Sequence, residues 1–271
     1  MAIPALDSDS GEQVTTRNSA HEIAPVTKGI PLQLTDFEIL TFDCYGTLID
    51  WESGLLESLE PLTTRLDHEL SRNEILEAYA RLEPIQQAHT PTKLYSELMA
   101  TVYKRMAEQW AIPVSWDECL RFGESLKNWS AFPDSVEALA YLKQHFKLAI
   151  LSNVDNESFA ASNATLSITF DAIYTAQDIG SYKPDDNNFN YMIDRLAAAG
   201  IAKSKILHTA QSLFHDHAPA NRHGLNSCWI DRQHIQDGSG ATPPPADMPH
   251  YDFRFCSMAE LAEAHRKQLA E

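Results

Sequence analysis

From residue 134 onward the sequence alternates between two hydrophobic periods, and this constrains the fold more than any other feature. Helical SVEALAYLKQH leads to the strand-like FKLAILS, and ESFAASNATL to AIYTA. NNFNYMIDRLAAAG, ending on Gly200, leads to KILHTA. A short helix around residues 215 to 223 leads to NSCWID. Strands alternating with helices imply right-handed βαβ units on a parallel sheet. FEILTFD, residues 37 to 43, is a continuous apolar run, as expected of a strand covered on both faces. Between them, residues 51 to 129 carry only helical patterns, which Pro61, Pro84, Pro91 and Pro113 are expected to punctuate. A Gly- and Pro-rich loop at 236 to 250, the strand YDFRF and the helix SMAELAEAHRKQ close the chain. The predicted architecture is a doubly wound, Rossmann-like α/β core at 36–51 and 130–271. An all-helical subdomain at 52–129 follows the first strand, and 1–35 form a disordered tail. No internal repeat is found.

Composition narrows the function. The chain has 271 residues, 44% of them apolar, enough to bury a sizeable core. Its 38 acidic and 21 basic residues leave a formal net charge of −17, which repels nucleic acid and anionic membranes. No apolar run approaches the roughly 20 residues that span a bilayer. The N-terminal stretch lacks the basic and apolar regions of a secretion signal. Cys44, Cys119, Cys228 and Cys256 are scattered, with no CxxC pair to suggest zinc or dithiol chemistry. These features lead us to expect a cytoplasmic protein with a small-molecule partner.

In doubly wound sheets, ligands bind at the carboxyl ends of the strands. Asp43-Cys44-Tyr45-Gly46-Thr47-Leu48 follows the first strand. Gly46 permits backbone geometry that other residues resist, and Thr47 can return its hydroxyl to the turn or to the carboxylate. Ser152-Asn153 ends the second strand, where an ordinary helix cap is the simpler reading. Ser181-Tyr182-Lys183-Pro184-Asp185 follows; its lysine can neutralise clustered carboxylates, although a lone Lys-Pro reads as a solvated loop. After KILHTA comes Gln211-Ser212-Leu213-Phe214-His215-Asp216-His217, which also reads as a polar helix start. Each cluster alone is ambiguous. One after each successive strand, they converge on a single site.

With those four motifs the chain resembles the haloacid dehalogenase superfamily, over residues 37 to about 260. FDCYGTLIDWE and GLNSCWIDR are similar to its type II, L-2-haloacid dehalogenase branch. The resemblance implies that the helical insert is a cap. It implies that Asp43 attacks a substrate carbon to form an ester, which water then cleaves at the aspartate carbonyl. Lys183 would hold Asp43 anionic, Asp216 would orient or activate the water, and Thr47 would support the nucleophile loop. Ser152 and Asn153 would hold the substrate carboxylate. Backbone N–H groups at Cys44 and Tyr45 would face the developing oxyanion. Gln211 and Ser212 of the fourth motif join the substrate-binding set. The resemblance also implies a homodimer.

Departures from the superfamily choose the branch. Its phosphatases carry an acid two residues after the nucleophile, where this chain has Tyr45. They carry an acidic Mg²⁺ ligand where it has Gln211, and a neutral amide is a poor ligand for Mg²⁺. We therefore expect no cofactor and no metal; Mg²⁺ would be needed only by a phosphatase. The dehalogenases use a cap arginine ahead of a Leu-Glu pair. Here Arg81 directly precedes Leu82-Glu83, about 100° per residue around the helix from the expected face, so it either substitutes or is solvated. His215 and His217 flank Asp216, and one of them is a candidate proton carrier. Trp51 and Gln86 are candidates to face the cleft, whereas Glu52 reads as a solvated helix start. The preferred function is metal-independent hydrolysis of a small 2-substituted carboxylic acid, as by an (S)-2-haloacid dehalogenase. Opening of a strained ring such as azetidine-2-carboxylate, a Mg²⁺-dependent phosphatase or phosphonatase, and a non-catalytic binding protein on the same fold are the alternatives.

Overall fold

The computed structural model describes residues 31–233 and 240–270. Its strands are Ile39–Phe42 (β1), Lys147–Ser152 (β2), Ala172–Thr175 (β3), Ile206–Ala210 (β4), Asn226–Ile230 (β5) and Phe253–Phe255 (β6). They form a parallel sheet in the order β3-β2-β1-β4-β5-β6. β1 and β4 are buried along their whole length and β2 beyond its first residue. The edge strands β3 and β6 are partly exposed. This is why the apolar runs of the central strands are continuous rather than alternating. The chain leaves the sheet in opposite directions from β1, toward β2 on one side and β4 on the other. That reversal opens a crevice above the carboxyl ends of β1 and β4, and Asp43 is the first residue past β1.

The helices are Trp51–Thr63 (α1), Arg72–His89 (α2), Tyr95–Gln109 (α3), Trp116–Ser125 (α4), Ser135–Leu142 (α5), Asn156–Leu166 (α6), Ala176–Ile179 (α7), Asp186–Ala198 (α8), Ala218–Arg222 (α9) and Met258–Ala270 (α10). Side-chain caps start several of them: Asp50 on α1, Ser71 and Glu74 in a capping box on α2, and Asp155 on α6. α1 to α4 fill the stretch between β1 and α5, and α3 and α4 pack closely at Gly123, where a Cβ would strike the Ser96 carbonyl. Pro61 and Pro84 lie inside α1 and α2 rather than between helices. Each costs a backbone hydrogen bond, but the flanking Leu59, Leu62, Leu82 and Glu83 are buried, and that packing carries the helices through.

Two boundaries differ from expectation. Most of the predicted tail lies outside the described residues, but Leu34–Asp36 forms a 3₁₀ turn. Leu34 is buried, and its N–H donates to Gln268 of α10 at 2.7 Å. Glu52 is not solvated. It is buried, with Oε1 accepting from Ala241 N at 2.9 Å and Oε2 from Arg72 at 2.7 Å. It thereby ties the α1 start to the segment after residue 240. Residues 240–250 contain no regular helix or strand; the first part of the predicted loop lies outside the described residues.

Candidate active site

A chain of buried polar side chains crosses the carboxyl ends of β1 and β4. Lys183 is 1% exposed and its Nζ donates three hydrogen bonds: to Asp43 Oδ1 at 2.9 Å, to Asp216 Oδ1 at 2.7 Å and to the Leu151 carbonyl at 2.9 Å. The ammonium thus has no hydrogen left for a ligand. Thr47 Oγ1 donates to Asp43 Oδ2 at 2.8 Å and accepts from Gln211 N at 2.9 Å. Gly46 makes the turn between them at φ +89°, and a Cβ there would meet Trp51 Nε1 at 2.9 Å. Space and backbone geometry both require glycine.

Burial is the largest influence on the Asp43 carboxyl and pushes it above its ordinary value; Lys183 opposes the rise and Asp216 adds to it. Burial also works against the charges of Asp216 and Lys183, but their partners win. Lys183 and His208 hold Asp216 well below the usual carboxylate range, and Asp216 and Asp43 hold Lys183 above its own. Of the two carboxylates, Asp216 is therefore the one permanently charged. Its Oδ2 is buried with no partner among the described residues.

The cavity over Asp43 measures about 40 Å³, room for roughly three waters. Asp43, Lys183, Asp216, Tyr45, Trp51, Asn153, Ser212 and His215 line it, all of them residues singled out in the sequence. His215 is pulled down to about 4 by burial, so its imidazole is neutral near pH 7. Its Nε2 has no partner among the described residues, and Ser212 Oγ lies 3.2 Å from Nδ1. Ser152 ends β2 beside the Leu151 carbonyl that Lys183 engages; its Oγ is buried with no partner among the described residues, and the residue does not line the cavity.

Other expectations are corrected. Arg81 is exposed and lies with Phe214, Pro243 and Pro244 on a separate surface hollow; helix phase carries it away from the cavity, and it does not replace a cap arginine. Gln86 is buried, and its amide nitrogen donates to Thr90 Oγ1 at 2.9 Å. Gln87, one position on, lines the cavity instead. The Cys44 thiol is sealed in the hydrophobic core, because alternation along the strand turns it away from Asp43. Gln211 faces a neighbouring cavity with Gly46 and Arg232. The Asn153 side chain is committed to the backbone of Lys183, accepting from its N–H at 2.6 Å and donating to its carbonyl at 2.9 Å. These bonds position the lysine, and Asn153 also lines the cavity. His217 is not a proton carrier: its nitrogens lie 3.0 Å from the Ala210 carbonyl and 3.0 Å from Ser227 Oγ, outside the cavity.

Four further residues complete the site. His208, buried in β4, has Nε2 2.9 Å from Asp216 Oδ1 and Nδ1 2.9 Å from Thr41 Oγ1. The detectable signal was a histidine and a threonine inside two otherwise apolar central strands. Glu83, Gln87 and Tyr95 reach the cavity from α2 and α3. Glu83 and Gln87 stand four apart, one helical turn, and so share a face.

A parallel doubly wound sheet with a buried carboxylate–lysine–carboxylate cluster past β1 and β4 defines a hydrolase site of the α/β class. The chain belongs to the haloacid dehalogenase-like hydrolases, whose family model matches residues 37–209. It is 25% identical over 240 residues to (S)-2-haloacid dehalogenase 4A of Burkholderia cepacia, covering 81% of this chain and 91% of that protein. It is 26% identical over 200 residues to (S)-2-haloacid dehalogenase 1 of Pseudomonas sp. (strain CBS-3), covering 70% and 83%. The fold matches L-2-haloacid dehalogenase from Xanthobacter autotrophicus with chloropropionic acid covalently bound. That match has a TM-score of 0.68 and 17% identity, over 85% of this chain and 98% of that one. Among the described residues, no helix is long and apolar enough to cross a membrane.

Proposed function

We propose that this hydrolase acts on a small 2-substituted carboxylic acid through an ester on Asp43, without a metal. The observation that carries the reading is the placement of Asp43. Lys183 and Thr47 hold its two oxygens in fixed directions, and it faces a small cavity that admits only a few heavy atoms. A carboxylate so held has lost its hydration shell and its rotational freedom, both of which would slow its attack on carbon. An Asp43 oxygen bonds to the substrate carbon as the leaving group departs with the bonding electrons. Water then adds to the Asp43 carbonyl carbon, the ester C–O bond on the carbonyl side breaks, and the 2-hydroxy acid leaves. Asp216 is too firmly ionised to be a strong base. Its open Oδ2 suits it to orient the water, while the developing oxyanion is met by Lys183 and backbone N–H groups after Asp43. The two carboxylates already share the Lys183 ammonium, and among the described residues no three His, Cys, Asp or Glu side chains are grouped to hold a metal ion.

The covalently bound chloropropionic acid of the Xanthobacter autotrophicus enzyme supports the ester step, and the two similar (S)-2-haloacid dehalogenases support a halide leaving group. The position of Arg81, away from the cavity, favours a second reading for the leaving group, a strained ring opened by the same attack with no halide to hold. The experiment is turnover of 2-haloacids, azetidine-2-carboxylate and phosphoesters in ¹⁸O-labelled water, followed by mass spectrometry. The expected result is ¹⁸O in the peptide containing Asp43 and no turnover by Asp43→Ala. Equal activity of Asp43→Ala refutes the ester; EDTA-sensitive phosphoester hydrolysis refutes the metal-free reading.

A further inference from the structure

The cavity holds a third acidic group, and the chemistry above does not use it. Glu83 reaches it from α2 and is 3% exposed. Its Oε1 accepts the Tyr95 hydroxyl at 2.5 Å, and Tyr95 lies 3.3 Å from the Tyr79 hydroxyl. Oε2 has no protein partner among the described residues. With Oε1 already accepting a hydrogen, a proton on this carboxyl sits on Oε2.

Among the described residues, no free cation answers Glu83. Tyr79 and Gln87 of α2 and Tyr95 of α3 surround it, with Asp43 and Tyr45 past β1. Tyr182 and Lys183 face it from the loop before α8, with Asp155 and Glu97 behind Tyr182. His215 and Asp216 face it from the turn after β4. The Lys183 hydrogens are all committed and His215 is neutral. Asp43 and Asp216 already share the Lys183 ammonium, with His208 against Asp216. A substrate carboxylate adds a negative charge, and an ionised Glu83 would add another in the same small cavity.

We propose that Glu83 works as the neutral acid, donating its Oε2 hydrogen to the substrate carboxylate, so that the site takes up one proton with each anionic substrate. Glu83 is then a binding residue that selects carboxylates, standing where no guanidinium is present. The inference rests on the reading that the substrate is a small carboxylic acid. In the empty site burial pushes Glu83 up to about 7, with the Tyr95 hydrogen bond opposing, and an arriving anion raises it further. Below that pH the proton is already in place; above it, binding must draw the proton from solvent.

The test is calorimetric titration of the full chain with propionate, an unreactive carboxylate, from pH 6 to 9 in two buffers of different ionisation heat. Affinity is expected to be flat up to about pH 7 and then to fall about tenfold per pH unit, with uptake approaching one proton per site at pH 8.5. Glu83→Gln keeps a donor, and is expected to bind propionate with no pH dependence and no proton uptake. Undetectable propionate binding, pH-independent binding by the wild type, or proton uptake that persists in Glu83→Gln overturns the proposal. The two readings fail separately. Propionate binding with proton uptake but no turnover of any 2-substituted acid sinks the hydrolase reading and leaves Glu83 standing. Turnover of 2-chloropropionate with a pH-independent KM does the reverse.

Discussion

Replacing Lys183 by Met removes the one cation that Asp43 and Asp216 share while keeping most of the side-chain volume. Both carboxylates stay buried, and Asp216 keeps only His208. The Leu151 carbonyl also loses its donor. Breaking a buried pair from one side costs about 3–5 kcal/mol, and here two carboxylates are stranded. The loss depends on pH. Without Lys183 both folded-state carboxyl pKa values rise, so the folded variant binds protons that the wild type does not. The deficit is therefore largest near pH 8 and shrinks by up to about 1.4 kcal/mol per pH unit per carboxyl as the stranded groups protonate. Urea unfolding of wild type and Lys183→Met at pH 5 and pH 8 reads the two differences. The expected variant is the more impaired at pH 8 and inactive at both, since Asp43 is protonated at pH 5 and at pH 8 has lost the ammonium that holds its Oδ1 in place. A deficit equal at the two pH values, or turnover near the wild-type rate, would refute the electrostatic role assigned to this lysine.

Arg81→Ala is expected to leave kcat/KM within about twofold of wild type, because the side chain lies away from the cavity; a drop of tenfold or more in steady-state assays would show that it moves in to reach substrate. His217 is held at about 4 by burial, so its contribution to stability is present above pH 6.5 and lost as pH falls through about 4. That is worth about 3 kcal/mol from a 2.5-unit shift, and His217→Gln is expected to lose less stability than wild type between pH 7 and 4 in denaturant titrations. Glu83 has the opposite sign: its raised pKa gives stability that is present below about 4.5 and lost as pH rises through about 7. Glu83→Gln should therefore gain up to about 3 kcal/mol on wild type between pH 4.5 and 8; an unchanging difference in chemical denaturation would place Glu83 in contact with solvent.

Asp43, Thr47, Lys183 and Asp216 were legible in the sequence because each follows a strand, and a parallel sheet brings the carboxyl ends of its strands to one edge whatever the details of packing. Gly46 was legible for a local reason, its left-handed backbone. The order of strands, with the crevice between β1 and β4, could not be read from the alternation alone, since pairing is decided by how the helices cover the two faces. Helix phase was the second uncertainty. Arg81, Glu83, Gln86 and Gln87 share seven residues of one amphipathic helix, and only its packing against α3 and α1 turned Glu83 and Gln87 inward and Arg81 out. The third was hydrogen-bond commitment. Asn153 and His217 have the chemistry of ligand-binding groups, but the fold spends it on the Lys183 backbone, the Ala210 carbonyl and Ser227. The sequence by itself determined which chemical groups arrive at the sheet edge. Tertiary structure decided which of them remain free to act, because burial and neighbouring partners set both the charge and the unspent hydrogen bonds of each.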